Sequence, residues 1–347
     1  MMYMRTLKFL IALYRVVVMI ERRAMSQPRL SVNYAAWQLV KKLCDEAENF
    51  GVTVKETRSG TTLIDAGIRA SGGLLAGRMV TEICLGGYGK AEIFYKPYDD
   101  LELPSIFVYT DHPAIATLGS QFAGWQIKVG EYTAMGSGPA RALVQKPREL
   151  YEKIGYEDKA DVAVLVLETT KEPSDEVTRH VATQCKVAPE RLFVISVPTT
   201  SITGSTQISG RIVETGIHKL TRLGLDPKQI MHGCGYAPIA PVHPKFAEAM
   251  GRTNDAILYA GVGCYTISHD DDDELKNLVD QAPSSASKSY GRPFLQIFQE
   301  ANYDFYKIDP GLFAPAVLFV NNVKTGNTFS AGKINVEILK QSMRLPV

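Results

Sequence analysis

The chain has 347 residues, 45% of them hydrophobic and 22% charged. That composition is ordinary for a globular protein, with room for about two domains and a core that needs no disulfide or metal staples. Its 38 basic and 37 acidic residues leave a formal net charge of +1, which argues against non-specific nucleic-acid binding. Cys44, Cys84, Cys185, Cys234 and Cys264 are odd in number and form no C-x-x-C pair. Neither a disulfide framework nor a structural zinc site is therefore expected, and a reducing cytoplasm is the natural compartment.

Residues 1–25 stand apart. Arg5, Lys8, Arg15, Arg22 and Arg23 against Glu21 alone give a local charge of +4, so the other 322 residues carry −3. The apolar run Phe9 to Ile20 is interrupted by Arg15. It is shorter than the roughly 20 residues of a membrane-spanning helix, and no small-x-small cleavage site follows it. The segment reads as an N-terminal extension or a misassigned start, with Met25 a candidate first residue, and no membrane association is expected.

From residue 31 the chain alternates helical and strand-like patterns. Ser31 and Asn33 are cap-type residues ahead of Trp37, Val40, Cys44, Ala47 and Phe50, whose three- and four-residue steps predict an amphipathic helix. Short β-type runs follow: VTVKET, TTLIDAG, AEIFYK, LPSIFVYT and GWQIKVGEY. DVAVLVLE (161–168) and RLFVISVP (191–198) are nearly continuous apolar runs, as in strands buried on both faces. Between them, Ser174, Asp175 and Glu176 open a helix whose stripe is Val177, Val181 and Cys185. Strand–helix–strand order predicts an α/β fold of the mixed α+β kind. Beyond residue 231 the chain is rich in Pro and Gly without a fixed repeat. The acidic run Asp270–Glu274 fits a helix start better than a metal site, so no metal is expected.

Three stretches carry candidate chemistry. Between Pro198 and Ile217 the only charged residues are Arg211 and Glu214. Gln207, Arg211, Glu214 and His218 are spaced 4, 3, 4, which in a single helix places them on one face. Two readings of the pair stay open. One is a surface ion pair worth about 0.2–0.5 kcal/mol. The other is a pocket carboxylate kept ionised by its guanidinium, with attraction rising from about 1 kcal/mol in water to about 4 at an effective dielectric of 20. In the second stretch, MGSGPARAL, Ser137 is a cap candidate, Pro139 suits a first helical turn, and Arg141 adds a charge; the alternatives are a tight turn or an anion site. In the third, residues 237–261, His243 and Arg252 are candidate substrate contacts or turn residues.

The segments SVNYAAWQLV, GSGPARAL, TGSTQISGRIVETGIHKL, APIAPVHPKFAEAMGRTNDAILYAG, SKSYGRPFLQIF, YDFYKIDPGLFAPA and FSAGKINVEIL lie in order from about residue 31 to 340. Together they resemble the methenyltetrahydromethanopterin cyclohydrolases. The resemblance implies a cytoplasmic enzyme without metal or organic cofactor, built of two α/β domains with mixed sheets and a substrate pocket between them. The divisions expected are 26–150 and 151–347, with the C-terminal part a candidate to return to the first domain. It further implies a small-molecule pterin C1 carrier as substrate and a homo-oligomer, a trimer in the family. The family's R-x-x-E falls on Arg211 and Glu214 as catalytic residues, with Gln207 beside them. Tyr88 becomes a candidate to line the flat pterin, and Ser137 with Arg141 to hold an anionic tail. The alternatives are a non-catalytic pterin-carrier binding protein or a small-molecule kinase. A kinase would need Mg²⁺ carboxylates beside a phosphate loop, and the sequence offers no convincing set.

Overall fold

A computed structural model describes residues 30–345; the expectation for residues 1–25 lies outside them. Among the described residues, twelve strands form two six-stranded mixed sheets in an α+β fold.

The first sheet has the order β1 (Thr53–Glu56), β2 (Thr62–Asp65), β8 (Leu192–Val197), β7 (Ala163–Glu168), β6 (Tyr132–Ser137), β5 (Trp125–Val129). Strands β2, β8 and β7 are parallel and central, and the outer pairings are antiparallel. The apolar runs at 161–168 and 191–198 are β7 and β8, buried along nearly their whole length. The intervening helix Asp175–Cys185 is capped by Ser174, as its sequence predicts. On one face of the sheet, Ala36, Val40 and Leu43 of the helix Val32–Asp45 pack beside Met79, Val80 and Ile83 of the helix Leu74–Cys84. Full burial of each larger aliphatic side chain stabilises by about 1.5–3 kcal/mol. Asn33 is part of the first helix and not its cap. Its buried amide joins Pro139 O, Asp158 and the N–H of Val164 at 2.9–3.0 Å.

The second sheet runs β12 (Thr328–Gly332), β11 (Val317–Asn322), β10 (Val262–Ile267), β9 (Ile230–Pro238), β4 (Leu101–Thr110), β3 (Lys90–Tyr98). Only β10 and β11 pair in parallel. The helix Ile212–Leu223 lies against it through Ile212, Val213, Ile217 and Leu220. Strands β9 and β10 escape prediction because they contain glycines where the sequence pattern asks for β-branched residues. Those glycines admit the helix. A Cβ at Gly233 would stand 2.9 Å from Val213 Cγ1, and one at Gly216 would collide with the Tyr265 hydroxyl. The chain visits this sheet with β3 and β4 before building β5 to β8 of the other, so each sheet takes strands from both sides of residue 150.

The acidic run behaves as a helix start. Asp271 Oδ1 accepts from the N–H groups of Asp273 and Glu274 at 2.9 and 3.0 Å, at the head of the helix Asp272–Asp280. No helix among the described residues is long and apolar enough to cross a membrane.

Candidate active site at the seam between the sheets

The stretch 198–218 is not one helix. Ser201 caps the helix Ile202–Ser209, the chain turns at Gly210 and Arg211, and the helix Ile212–Leu223 follows. The turn is held against the helix Leu74–Cys84, where a Cβ at Gly210 would lie 2.5 Å from Thr81 Cγ2. Any larger residue would push the two apart and displace Arg211 with them. Gln207, Arg211 and Glu214 still converge, but across a break and not along one continuous helical face.

Arg211 is pinned by three neutral acceptors. Nη1 donates to Gln121 O at 2.7 Å, and Nη2 donates to Ser137 Oγ at 3.0 Å and Gln207 Oε1 at 3.3 Å. Glu214 Oε2 lies 3.9 Å from Nη1, a one-point contact and not a two-point fork. The Glu214 side chain is nearly all buried, and among the described residues no donor reaches hydrogen-bond distance of it. Burial pushes its carboxyl up to about 7, against the opposing fields of Arg211 and Arg141. Of the opposing effects desolvation is the larger, and with Arg211 and Arg141 beside it the carboxyl is poised near neutrality. Such a group can take a proton and release it again.

Ser137 is the last residue of β6 and receives Arg211 from the first sheet, whereas Glu214 sits on the helix that covers the second. Its hydroxyl also lies 3.9 Å from Cys84 Sγ. Ser137 caps no helix; the short segment Ala140–Val144 has Pro139 in that position. Arg141 is fully buried; its Nε donates to the carbonyl of Lys146 at 2.8 Å and its Nη1 to those of Leu118 at 3.2 Å and Ser120 at 3.1 Å. Neither residue is open to solvent, so the tail-binding arrangement expected of Ser137 and Arg141 is not what their contacts form.

The remaining candidates make other contacts. The Tyr88 ring meets His112 edge-on with centroids 5.5 Å apart. His243 Nδ1 accepts from Lys245 N at 3.1 Å, and Arg252 Nη1 reaches the carbonyls of Pro241 and Val242 at 3.4 Å, so both shape the loop after β9. His218 packs on Phe122 with centroids 4.7 Å apart and the rings tilted by 39°, and burial lowers its pKa to about 4, leaving a neutral ring.

Sequence reasoning missed the π-helix Ala114–Gln121, which ends with Phe122 N donating to Thr117 O at 2.9 Å. Its C-terminal carbonyls hold Arg141 and Arg211. A helix C-terminus leaves carbonyls without internal partners and carries partial negative charge, which suits cations. The segment HPAIATLGSQF has no pattern that distinguishes a π-helix from an α-helix, so only structure reveals it. A groove of about 220 Å³ opens elsewhere, on the uncovered face of the second sheet, lined by Tyr109, His232, Cys234, Cys264 and Phe319. It includes neither Arg211 nor Glu214.

A mixed α+β scaffold with one poised carboxyl and a fixed guanidinium at the seam of two sheets defines a candidate acid–base enzyme. The family model described as Cyclohydrolase (MCH) matches residues 31–343. A protein of Methanocaldococcus jannaschii named methenyltetrahydromethanopterin cyclohydrolase is 47% identical over 317 residues, covering 90% of this chain and 98% of its own length. Its namesake in Methanothermobacter marburgensis is 47% identical over 320 residues, covering 91% and 100%. That of Methanococcoides burtonii is 45% identical over 315 residues, covering 90% and 98%. The chain belongs to the methenyltetrahydromethanopterin cyclohydrolase family.

Proposed function

We infer that the protein reversibly hydrolyses N5,N10-methenyltetrahydromethanopterin to the N5-formyl form, a step of C1 metabolism in formaldehyde oxidation or methanogenesis. The observation that carries this is the match over residues 31–343 to proteins bearing that name, with an R-x-x-E pair buried inside the fold. Nothing in the structure favours a pure binding role or a kinase.

The methenyl carbon is bonded to two nitrogens that share its positive charge, so it is electrophilic without help from a metal. Water adds to it, and Glu214 is our choice of base for the water's proton. The resulting tetrahedral carbon then sheds the N10 nitrogen, which needs a proton; a carboxyl near neutrality supplies one. Net, cation plus water gives the formyl product and one released proton. The negative charge of Glu214 also attracts the cation, which raises the rate only to the extent that the transition state is stabilised more than the bound substrate. Arg211, fixed by Gln121, Ser137 and Gln207, sets the field at Glu214.

We place the pterin in the seam beside Gln207 and Arg211, between the units built on the two sheets. Tyr88, His243 and Arg252 are candidates for its more distant parts, and Ser137 acts through Arg211. The reaction is proposed to need no metal or organic cofactor. The chemistry of the substrate, whose methenyl carbon is electrophilic without a Lewis acid, supports this. A cytoplasmic homo-oligomer, trimeric as the family resemblance implies, is proposed as the working form.

The test is loss of the methenyl chromophore's absorbance on mixing the protein with methenyltetrahydromethanopterin, with methenyltetrahydrofolate as control. No acceleration over buffer would refute the assignment. The same assay after exhaustive chelation is expected to give unchanged turnover; activity lost to the chelator and restored by one divalent ion would overturn the metal-free reaction.

A further inference from the structure

Arg141 poses a question of energetics. It is among the largest fully buried side chains, and no carboxylate among the described residues lies within ion-pair distance of it. A buried charge without a counter-ion is costly, and an apolar side chain of similar size would avoid that cost. The cost here is reduced by carbonyls and rings. Nε bonds Lys146 O, Nη1 bonds Leu118 O and Ser120 O, and the rings of Phe122 and Tyr151 stand 5.3 and 5.5 Å from the guanidinium. Nη2 is buried without a hydrogen-bond partner. The site therefore holds a cation in place without neutralising it.

The other guanidinium of the cluster is fixed by the same element. Arg211 bonds Gln121 O, and Gln121 Nε2 bonds Gly210 O at 3.0 Å, locking the turn that carries Arg211. One π-helix terminus thus fixes two cations, Arg211 at 3.9 Å from Glu214 and Arg141 on the neighbouring carbonyls, and the fields of both oppose the upward push of burial on that carboxyl. The groups that face Glu214 are Arg211, Arg141, the Cys84 thiol from the helix Leu74–Cys84 and the Tyr265 phenol from β10. Burial pushes the thiol and the phenol up, so both are neutral in the working range. Among the described residues, the ionised groups that bear on Glu214 are the two arginines.

We propose that Arg141 is a positioning residue for the hydrolysis: caged by the π-helix carbonyls, its buried charge acts through Glu214 and, with Arg211, keeps that carboxyl usable as a base near neutral pH. This rests on the reading of Glu214 as the base. Sequence alone leaves a tight turn or an anion site open, because the cage is invisible there.

The experiment is turnover against pH on the full chain for wild type, Arg141→Gln, Arg141→Lys, Glu214→Gln and the double variant Arg141→Gln/Glu214→Gln. Glutamine can still donate to the cage but carries no charge, so the acidic limb of Arg141→Gln should move up by about one pH unit, with turnover recovering at high pH. Arg141→Lys keeps the charge and should leave the limb near its wild-type position, whatever it does to thermal stability. In the Glu214→Gln background, adding Arg141→Gln should change the residual turnover by less than about twofold, since the two act through one group. An Arg141→Gln enzyme equally slowed at every pH would show a merely structural arginine and overturn the proposal. If that variant does not fold, a limb displaced by a full unit in Arg141→Lys overturns it instead. Near-normal turnover in Glu214→Gln alone would remove the base and this proposal together, whereas an inactive Glu214→Gln with an unmoved Arg141→Gln limb removes only the proposal.

Discussion

Glu214 and Asp255 are both buried carboxyls, and burial pushes both up to about 7. Their surroundings are opposite. Asp255 lies on the helix Phe246–Ala260 and is fully hydrogen-bonded: Phe294 N donates to its two oxygens at 2.9 and 3.1 Å, and Ser342 Oγ donates at 2.5 Å. It ties together three segments distant in sequence. Glu214 accepts no hydrogen bond from the described residues and has a guanidinium 3.9 Å away. A shifted carboxyl alone does not mark a catalytic site. A shifted carboxyl whose lone pairs are unspent, beside a cation whose donors are spent elsewhere, is free to engage a substrate and a water.

The largest effect expected separates these two roles. Glu214→Gln should keep the fold and substrate binding while lowering turnover by about 10²- to 10⁴-fold, the range for a lost general base. Asp255→Asn preserves shape and most of its hydrogen bonds, and should leave turnover within about twofold of wild type in the protein that folds. Steady-state kinetics on both, with binding measured separately, test the contrast. Equal losses in the two variants would collapse it, and near-normal turnover in Glu214→Gln would reduce the Arg211–Glu214 contact to a structural ion pair.

Arg211→Lys comes next. A lysine offers one compact ammonium where the guanidinium serves Gln121 O, Ser137 Oγ and Gln207 Oε1 together. Losing one hydrogen bond to a charged group costs about 1.5–3 kcal/mol, or about 10- to 100-fold in rate if all of it falls on the transition state. Arg211→Met also removes the charge, so the Glu214 carboxyl should rise above 7 and the acidic limb should move to higher pH. A limb that stays put in Arg211→Met would mean that Arg211 does not set the ionisation of Glu214.

Asp255→Ala probes the other half of the comparison. It strands the N–H of Phe294 and the hydroxyl of Ser342, and should lower stability by about 1–3 kcal/mol. Denaturant unfolding followed beside kinetics would show it. A loss of turnover without loss of stability would place Asp255 in the site after all.

The two carboxyls also show what sequence can disclose. Arg211 and Glu214 stand out because they are the only charges in their stretch, and that sparsity reports burial correctly. The strands β7 and β8 and the Ser174-capped helix are legible for the same reason: continuous apolar runs and a cap are local patterns. The role of Asp255 is not legible, because its partners Phe294 and Ser342 are 39 and 87 residues away. The break at Gly210 is hidden because its cause is Thr81 on another helix. The caging of Arg141 is hidden because backbone carbonyls do it, and any sequence has those. Contacts set by distant backbone leave no periodicity to read.

The smallest effect expected concerns stability. Burial raises the Glu214 carboxyl from its ordinary value of 4.5 to about 7 in the folded protein. The folded state therefore binds a proton that the unfolded state releases earlier. The stabilising contribution is complete below 4.5, fades between there and about 7, and is absent above, where the fold carries a desolvated charge. Glutamine has no charge to desolvate. Glu214→Gln should therefore be more stable than wild type at pH 8 and no more stable at pH 4. One pKa unit corresponds to about 1.4 kcal/mol, and relaxation around the site offsets part of the shift, so a gain on the order of 1 kcal/mol is expected at pH 8. Denaturant melts of the two proteins at both pH values measure it. A variant that gains stability at pH 8 while losing turnover would show that the strain of burying Glu214 belongs to function, whereas equal stability at both pH values would show that the carboxyl is solvated and not poised.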